Sequence, residues 1–334
     1  MSVLSVMRRT AARPAAAACV LAAACVLAAE VPAQASPAAL HVTATVSLGR
    51  VGTSFTYQFG EAPNGTVYYA RGRVVYAVAG SNPPAAILHA AGPVLAVAAN
   101  SKDFFVEVGR TVSEYRRSDR EFVRRWTLPK SIRPLTSAGL FAVGCTVWAW
   151  TDWATDESGF EYANVSRIRT TSAAVHKVSS NIAYPADMAA DASGLYYEAI
   201  KPNASNGYLI RVGPSGQVTK RTDKNIDGPL ALAAGRVYLL ADHEPSGDLF
   251  LGAYRGSNLR PVFSRQVSAR YRDVAGTGAG LLMLRSGQVS MLSPATGAMT
   301  GSLSVAHAVT LVPGPSAVVI TLSGGIARLL RLAS

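Results

Sequence analysis

A seven-bladed ring of four-stranded sheets is the fold this sequence predicts, and three observations carry the prediction. A turn followed by an apolar, aromatic or β-branched run recurs at Val67, Phe104, Val147, Leu195, Val237, Leu281 and Val318, in steps of 37, 43, 48, 42, 44 and 37 residues. Glycine, proline and asparagine bracket the runs, and no stretch holds the 3.6-residue period of a helix. Four short strands at a period of about 40 to 45 residues is the spacing of a β-propeller blade. The class is therefore all-β, a seven-bladed β-propeller of four-stranded antiparallel blades.

The chain opens on a segment that stands apart from the ring. Arg8, Arg9 and Arg13 precede an apolar run from Ala15 to Ala29, and Ala33-Gln34-Ala35 follows. Charge, apolar stretch and small-residue site together read as a secretory signal peptide over residues 1–35. Cys25 offers a lipid-anchored alternative and the Arg8-Arg9 pair a twin-arginine one; both lack their usual apolar neighbours, so secretion to the extracellular side is the expectation. The run is too short and alanine-rich for a membrane span, and the protein is not expected to be transmembrane.

Residues 36–334 form one expected domain. Its units fall near 54–90, 94–130, 134–180, 186–224, 228–267, 270–304 and 306–334. The second and fifth open on small apolar inner strands, Leu95-Ala96-Val97-Ala98 and Leu230-Ala231-Leu232-Ala233. The fourth shows the pattern most openly, with Gly194 to Ala199, Tyr208 to Val212 and Gln217 to Lys220 separated by Gly213-Pro214-Ser215-Gly216. The seventh supplies three strands and then ends at Ser334, while Val42 to Leu48 precedes the first full unit. That segment is expected to close the last blade, which removes two open sheet edges.

Within these units, Leu292-Ser293-Pro294-Ala295-Thr296-Gly297-Ala298-Met299 resembles the strand-turn-strand element of quinoprotein-type propeller repeats. Asp187 to Tyr197 and Asp227 to Ala241 resemble the NHL-type repeat. The chain thus looks like a degenerate NHL-type or quinoprotein-type propeller of secreted bacterial kind. The resemblance implies a fold; these families share no single activity, so it carries over no catalytic residue.

Composition narrows the chemistry. Two of the three cysteines lie in the leader, so Cys145 has no disulfide partner and is expected to be a small buried residue of an apolar strand. Without the leader the chain holds 29 basic against 19 acidic residues. A formal charge of +10 attracts polyanions and anionic surfaces, at an envelope sooner than nucleic acid. The densest basic cluster is Arg116, Arg117, Arg120, Arg124 and Arg125, which read as decoration against edge pairing. Trp148 and Trp150 share one face of a strand and read as packing between blades. Asn64, Asn164 and Asn203 open glycosylation sequons.

Enzyme templates are missing: no Gly-x-Ser-x-Gly, His-Glu-x-x-His, phosphate loop or calcium-loop spacing occurs. His41, His89, His176, His243 and His307 stand singly in different units. The turn between second and third strands is tight in units one, two, six and seven and longer in the three between. Thr151 to Glu161 carries Asp152, Trp153, Asp156 and Glu157; Lys201 to Gly207 carries Asn203 and Asn206; Asp242 to Asp248 adds His243 and Glu244. Insertions on one face mark the working face of a repeat protein, so these ten residues form an expected ligand-binding rim. Its oxygens suit Ca²⁺, and Trp153 suits a sugar or aromatic group; no other cofactor is expected.

The first reading is an exported, monomeric, non-enzymatic scaffold that binds a protein or surface glycan at the cell envelope. The alternative is a metal-dependent hydrolase or lactonase of propeller type, with Asp187, Asp191 and Asp273 near the inner strands. A quinone-dependent oxidoreductase would need polar and aromatic groups that these inner strands lack.

Overall fold

The computed structural model describes residues 39–51, 59–129, 138–155, 161–183, 188–200, 206–224, 228–243, 248–268, 270–278 and 280–334. Strand β1 (His41–Arg50) comes first in the chain and belongs to the last sheet. Blade 1 is β2 (Gly60–Glu61), β3 (Val67–Arg71), β4 (Val74–Val78) and β5 (Ala85–His89). Blade 2 is β6 (Val94–Ala99), β7 (Asp103–Val108), β8 (Thr111–Arg116) and β9 (Phe122–Thr127). Blade 3 is β10 (Ala138–Val143), β11 (Thr146–Thr155), β12 (Glu161–Arg169) and β13 (Val175–Ala183). Blade 4 is β14 (Met188–Asp191), β15 (Gly194–Ile200), β16 (Asn206–Val212) and β17 (Val218–Lys224). Blade 5 is β18 (Leu230–Ala233), β19 (Arg236–His243), β20 (Asp248–Arg255) and β21 (Pro261–Val267). Blade 6 is β22 (Tyr271–Thr277), β23 (Gly280–Arg285), β24 (Gln288–Leu292) and β25 (Met299–Ser304). Blade 7 is β26 (Ala308–Val312), β27 (Ala317–Ser323) and β28 (Ile326–Ala333), with β1 outside them.

The fold is the seven-bladed, all-β ring that the repeats predict, with no helix among the described residues. Antiparallel order in each blade puts the turn between its second and third strands, and the connection to the next blade, at one end, here the upper. The other two turns lie at the lower end. Closure also follows expectation: β1 pairs along β28 from His41 opposite Ala333 to Arg50 opposite Ile326.

Packing between blades follows from the two-residue period of a strand. On β3, Val67 and Tyr69 are buried toward blade 7 and Tyr68 and Ala70 toward blade 2. Trp148 packs the same way against Leu195 and Tyr197 of blade 4 with Trp150 beside it, as expected. Blade 7 departs by one residue. Val319 faces blade 6, while Val318 and Ile320 face blade 1. A one-residue offset exchanges the two faces, so Val319 is the true counterpart of Leu281.

The lower end is sewn together by polar side chains that reach carbonyls of the next blade's outer turn. Trp126 Nε1 donates to Ser172 O at 3.0 Å, Arg167 Nη1 to Pro214 O at 2.5 Å, and Tyr196 Oη to Gly256 O at 2.9 Å. Arg236 Nη1 donates to Pro294 O and Ala295 O at 2.7 and 2.8 Å, and Tyr238 Oη joins it on Pro294 O. From blade 2, Arg117 reaches back to Tyr68 Oη at 2.9 Å and Asn64 Oδ1 at 2.5 Å. Arg117 is therefore a stitch between blades and not edge decoration. Arg116 holds Asp119 and Glu121, and Arg124 Nε lies 3.1 Å from the buried Glu114.

The closing seam has its own version of the stitch. Arg331 donates to Gly80 O at 2.8 Å, Gly65 O at 2.8 Å and Val78 O at 3.3 Å, and it lies 3.8 Å from Glu61 Oε1. Glu61 Oε2 accepts the Ser316 N–H at 3.1 Å, which ties blade 1 to blade 7 from the other side. Cys145 differs from expectation: it is exposed, in the two-residue turn after β10, where Gly144 takes φ 57°. The strand starts one residue later because only the turn can use that backbone conformation cheaply.

Glu107 is a defect in this packing. It is fully buried on β7, neither carboxyl oxygen has a hydrogen-bond partner, and burial pushes its pKa well above the carboxylate range. The same position holds Leu240 in blade 5 and Leu284 in blade 6, both in apolar clusters. A group kept neutral when folded but free to ionise when unfolded penalises the fold as pH rises from its unfolded pKa toward its folded one. Glu107→Leu should therefore raise stability by about 1–3 kcal/mol at pH 7 and by less at pH 4, in urea unfolding at both values. A loss of stability, or a gain independent of pH, contradicts this account. Arg331→Met should cost about 3 kcal/mol in the same assay, because Glu61 then keeps a buried charge without its cation; a cost below about 1 kcal/mol would show the seam pair to be dispensable.

Candidate functional site

The expected ligand rim falls at the upper end of blades 3 to 5, and the ring also encloses an axial channel. The channel is a cavity of about 450 Å³ lined by the inner strands of all seven blades. Its wall is mostly small or apolar, as Leu95 to Ala98 and Leu230 to Ala233 anticipate. The polar exceptions are Glu61, Asp191, Asp273, Thr277 and Thr310.

Each acid of the channel is engaged locally. Asp273 Oδ2 accepts Thr310 Oγ1 at 2.9 Å and the Leu311 N–H at 2.8 Å across the seam from blade 6 to blade 7. Asp191 Oδ1 accepts the Ser193 N–H at 2.7 Å and shapes the turn after β14. Burial raises the pKa of both Asp273 and Glu61, and the hydrogen bonds just described oppose it. Glu114 is pushed up to about 7, first by burial and then by the neighbouring Asp103 charge, with Arg124 opposing.

Perturbed acids mark active sites when they converge on one cleft. Here Glu61, Glu114 and Asp273 belong to blades 1, 2 and 6. Among the described residues, no three of histidine, cysteine, aspartate and glutamate sit together. Asp187, the third acid of the hydrolase reading, lies outside the described residues. The five histidines stand apart: His41 on β1, His89 on β5, His176 on β13, His243 on β19, and His307 in the turn before β26.

The upper end carries the expected asymmetry in a more ordered form. In blades 1, 2, 6 and 7 a two-residue turn joins second and third strands, at 72–73, 109–110, 286–287 and 324–325. In blade 3 the strands run on, and Thr155 stands opposite Glu161. Asp152, opposite Ala163, and Trp153 are therefore strand residues and not loop residues. Thr151, Trp153, Thr155 and Tyr162 are strand formers, so polar neighbours here do not signal a loop.

Blade 5 behaves alike: β19 continues through Asp242 to His243, which stands opposite Asp248. In blade 4, Asn206 opens β16 opposite Lys224. Asp156, Glu157, Asn203 and Glu244 lie outside the described residues. The topology adds one acid to this end that the turns alone did not reveal, Asp223 near the end of β17, while Glu161, which bounds the blade 3 turn, opens β12. Asp223 is found only by recognising that the last residues of an outer strand share an end with the hairpin tips.

Neither protein-family models nor curated proteins match the chain. Solved structures do. The Pan2 WD40 domain of Neurospora crassa aligns over 89% of this chain and 96% of its own, with TM-score 0.59 and 8% identity. A chain of the mitotic checkpoint complex aligns over 88% and 94%, with TM-score 0.56 and 11% identity. PorZ, a surface component of the type-IX secretion system of Porphyromonas gingivalis, aligns over 84% of this chain with TM-score 0.51 and 12% identity; the chain spans 38% of PorZ. At such identities the likeness concerns the fold alone, and it places this chain among the β-propellers.

Proposed function

We propose that this protein is an exported, non-enzymatic scaffold that recognises a macromolecular partner through the upper end of blades 3 to 5. One observation carries the reading. Three consecutive blades separate their second and third strands by more than two residues, and blades 3 and 5 also lengthen both strands, while the other four close in two-residue turns. Rigid strands hold such a surface better than loops do, and recognition needs no reactive group. The acids of these hairpins on a basic body give the partner a sign, with a cationic patch the complement.

Export rests on the features of residues 1–35. A protein partner is favoured over a glycan, because the structural neighbours include a chain of the mitotic checkpoint complex and BBS1 in complex with ARL6. The envelope remains the place where an exported chain would meet it.

The test is to shorten the blade 3 hairpin to a two-residue turn, as in blade 6, and compare capture from the host envelope. Loss of the captured partner by about thirtyfold or more in affinity, with the unfolding midpoint unchanged, supports the reading. Undiminished capture by the shortened chain sinks it.

A further inference from the structure

We propose that the lower end of the ring is a peripheral docking surface for an anionic phospholipid bilayer. The surface is separate from the hairpin rim and does not depend on the partner reading. Its starting point is where the exposed apolar side chains lie. Among the described side chains, Phe122, Val218, Val262, Met299 and Val42 are the large hydrophobic residues left exposed, at 53, 50, 38, 59 and 41%. Each is the first or second residue of the outermost strand of its blade, in blades 2, 4, 5, 6 and 7 respectively.

All five therefore sit at one end of the molecule, spread around its perimeter. Scattered surface hydrophobics are ordinary and need no account; the end that these five described side chains share does. At the upper end, three of the same outer strands finish instead in Thr127, Ser304 and Arg50.

Charge at that end has one prevailing sign. Arg120, Arg169, Arg255, Arg260 and Lys102 are exposed in or beside the lower turns. Among the described side chains, only two acids are exposed, Asp119 and Glu121, and Arg116 holds both. The other described acids are buried or half-buried. The turns themselves are short and built from small residues, as in Gly213-Pro214-Ser215-Gly216 and Ser293-Pro294-Ala295-Thr296-Gly297. The end is thus a shallow face with cations between its turns and apolar points at its rim. Arg125 lies 5.7 Å over the exposed Phe122 ring and places both characters at one spot.

This combination selects a bilayer over other occupants. A soluble polyanion would use the cations and gain nothing from five half-exposed apolar side chains. A second copy of the chain would bring its own cations against these. An anionic headgroup layer attracts Lys and Arg within a Debye length, while the acyl boundary takes apolar side chains, so one surface rewards both. Docked in this way, the ring turns the hairpins of blades 3 to 5 away from the membrane.

Residues 37–334 contain all 28 strands, and this segment is the material for the test. Co-sedimentation at low salt should show binding to vesicles rich in phosphatidylglycerol, and none to phosphatidylcholine alone. The triple variant Arg120→Gln/Arg255→Gln/Arg260→Gln should lower partitioning on the order of 100-fold, since each cation near the surface contributes about fivefold. Phe122→Ser/Val218→Ser/Met299→Ser should lower it by at least about tenfold. Arg73→Gln/Arg270→Gln, which removes two exposed cations at the upper end, should leave it unchanged, and unfolding midpoints establish that every variant folds. No binding to the anionic vesicles overturns the proposal. So does equal loss in the upper-end variant, or undiminished binding by the serine variant. Polyphosphate binding as tight as vesicle binding and insensitive to the serine changes would point to a soluble polyanion and overturn it as well.

Discussion

The pairing of β1 with β28 is the constraint on which the rest of this molecule depends. A ring of sheets has no stable open form, because its first and last blades would each expose an apolar face. The chain supplies only three strands to blade 7 after Ala308, and the fourth comes from residues 41–50. Long-range pairing of this kind costs loop-closure entropy over nearly the whole described chain. The buried cluster from Val46 and Leu48 through Val318 and Ile320 to Val67 and Tyr69 is the return on it.

Once the ring is closed, its polar chemistry goes largely into holding blades at a fixed separation. Arg117, Arg167, Arg236 and Arg331 all bond carbonyl, hydroxyl or amide oxygens of neighbouring blades. Turn carbonyls have no strand partner, and a guanidinium reaches two or three at once. This use removes cations from recognition, so the net charge overstates what is free to meet a ligand. It also explains a channel with little chemistry: Glu61 and Asp273, its deeper acids, are committed to the seams on either side of blade 7.

The sequence made the blade count and the closing strand legible, because turn-plus-run signals and the two-residue alternation are local. Val42 to Leu48 could be assigned to blade 7 by strand count alone. What stayed hidden depends on which neighbour a side chain faces. Cys145 reads as strand until the turn conformation of Gly144 is known. The offset of Val318 against Val319 needs the packed clusters of blades 6 and 1. Glu107 looks like an ordinary polar strand residue until its counterparts Leu240 and Leu284 are laid beside it. At the candidate rim, polar composition suggested loops at Asp152 and Asp242, whereas register shows strands.

Native-state hydrogen exchange tests the central claim most directly. If closure by β1 is indispensable to the ring, amides of Thr45 to Leu48 exchange with the same opening free energy as those of Val67 to Tyr69, at the global limit. Exchange of the β1 amides through a local opening well below that limit, with the blades still protected, would show that the ring holds without its terminal strand and would contradict the account.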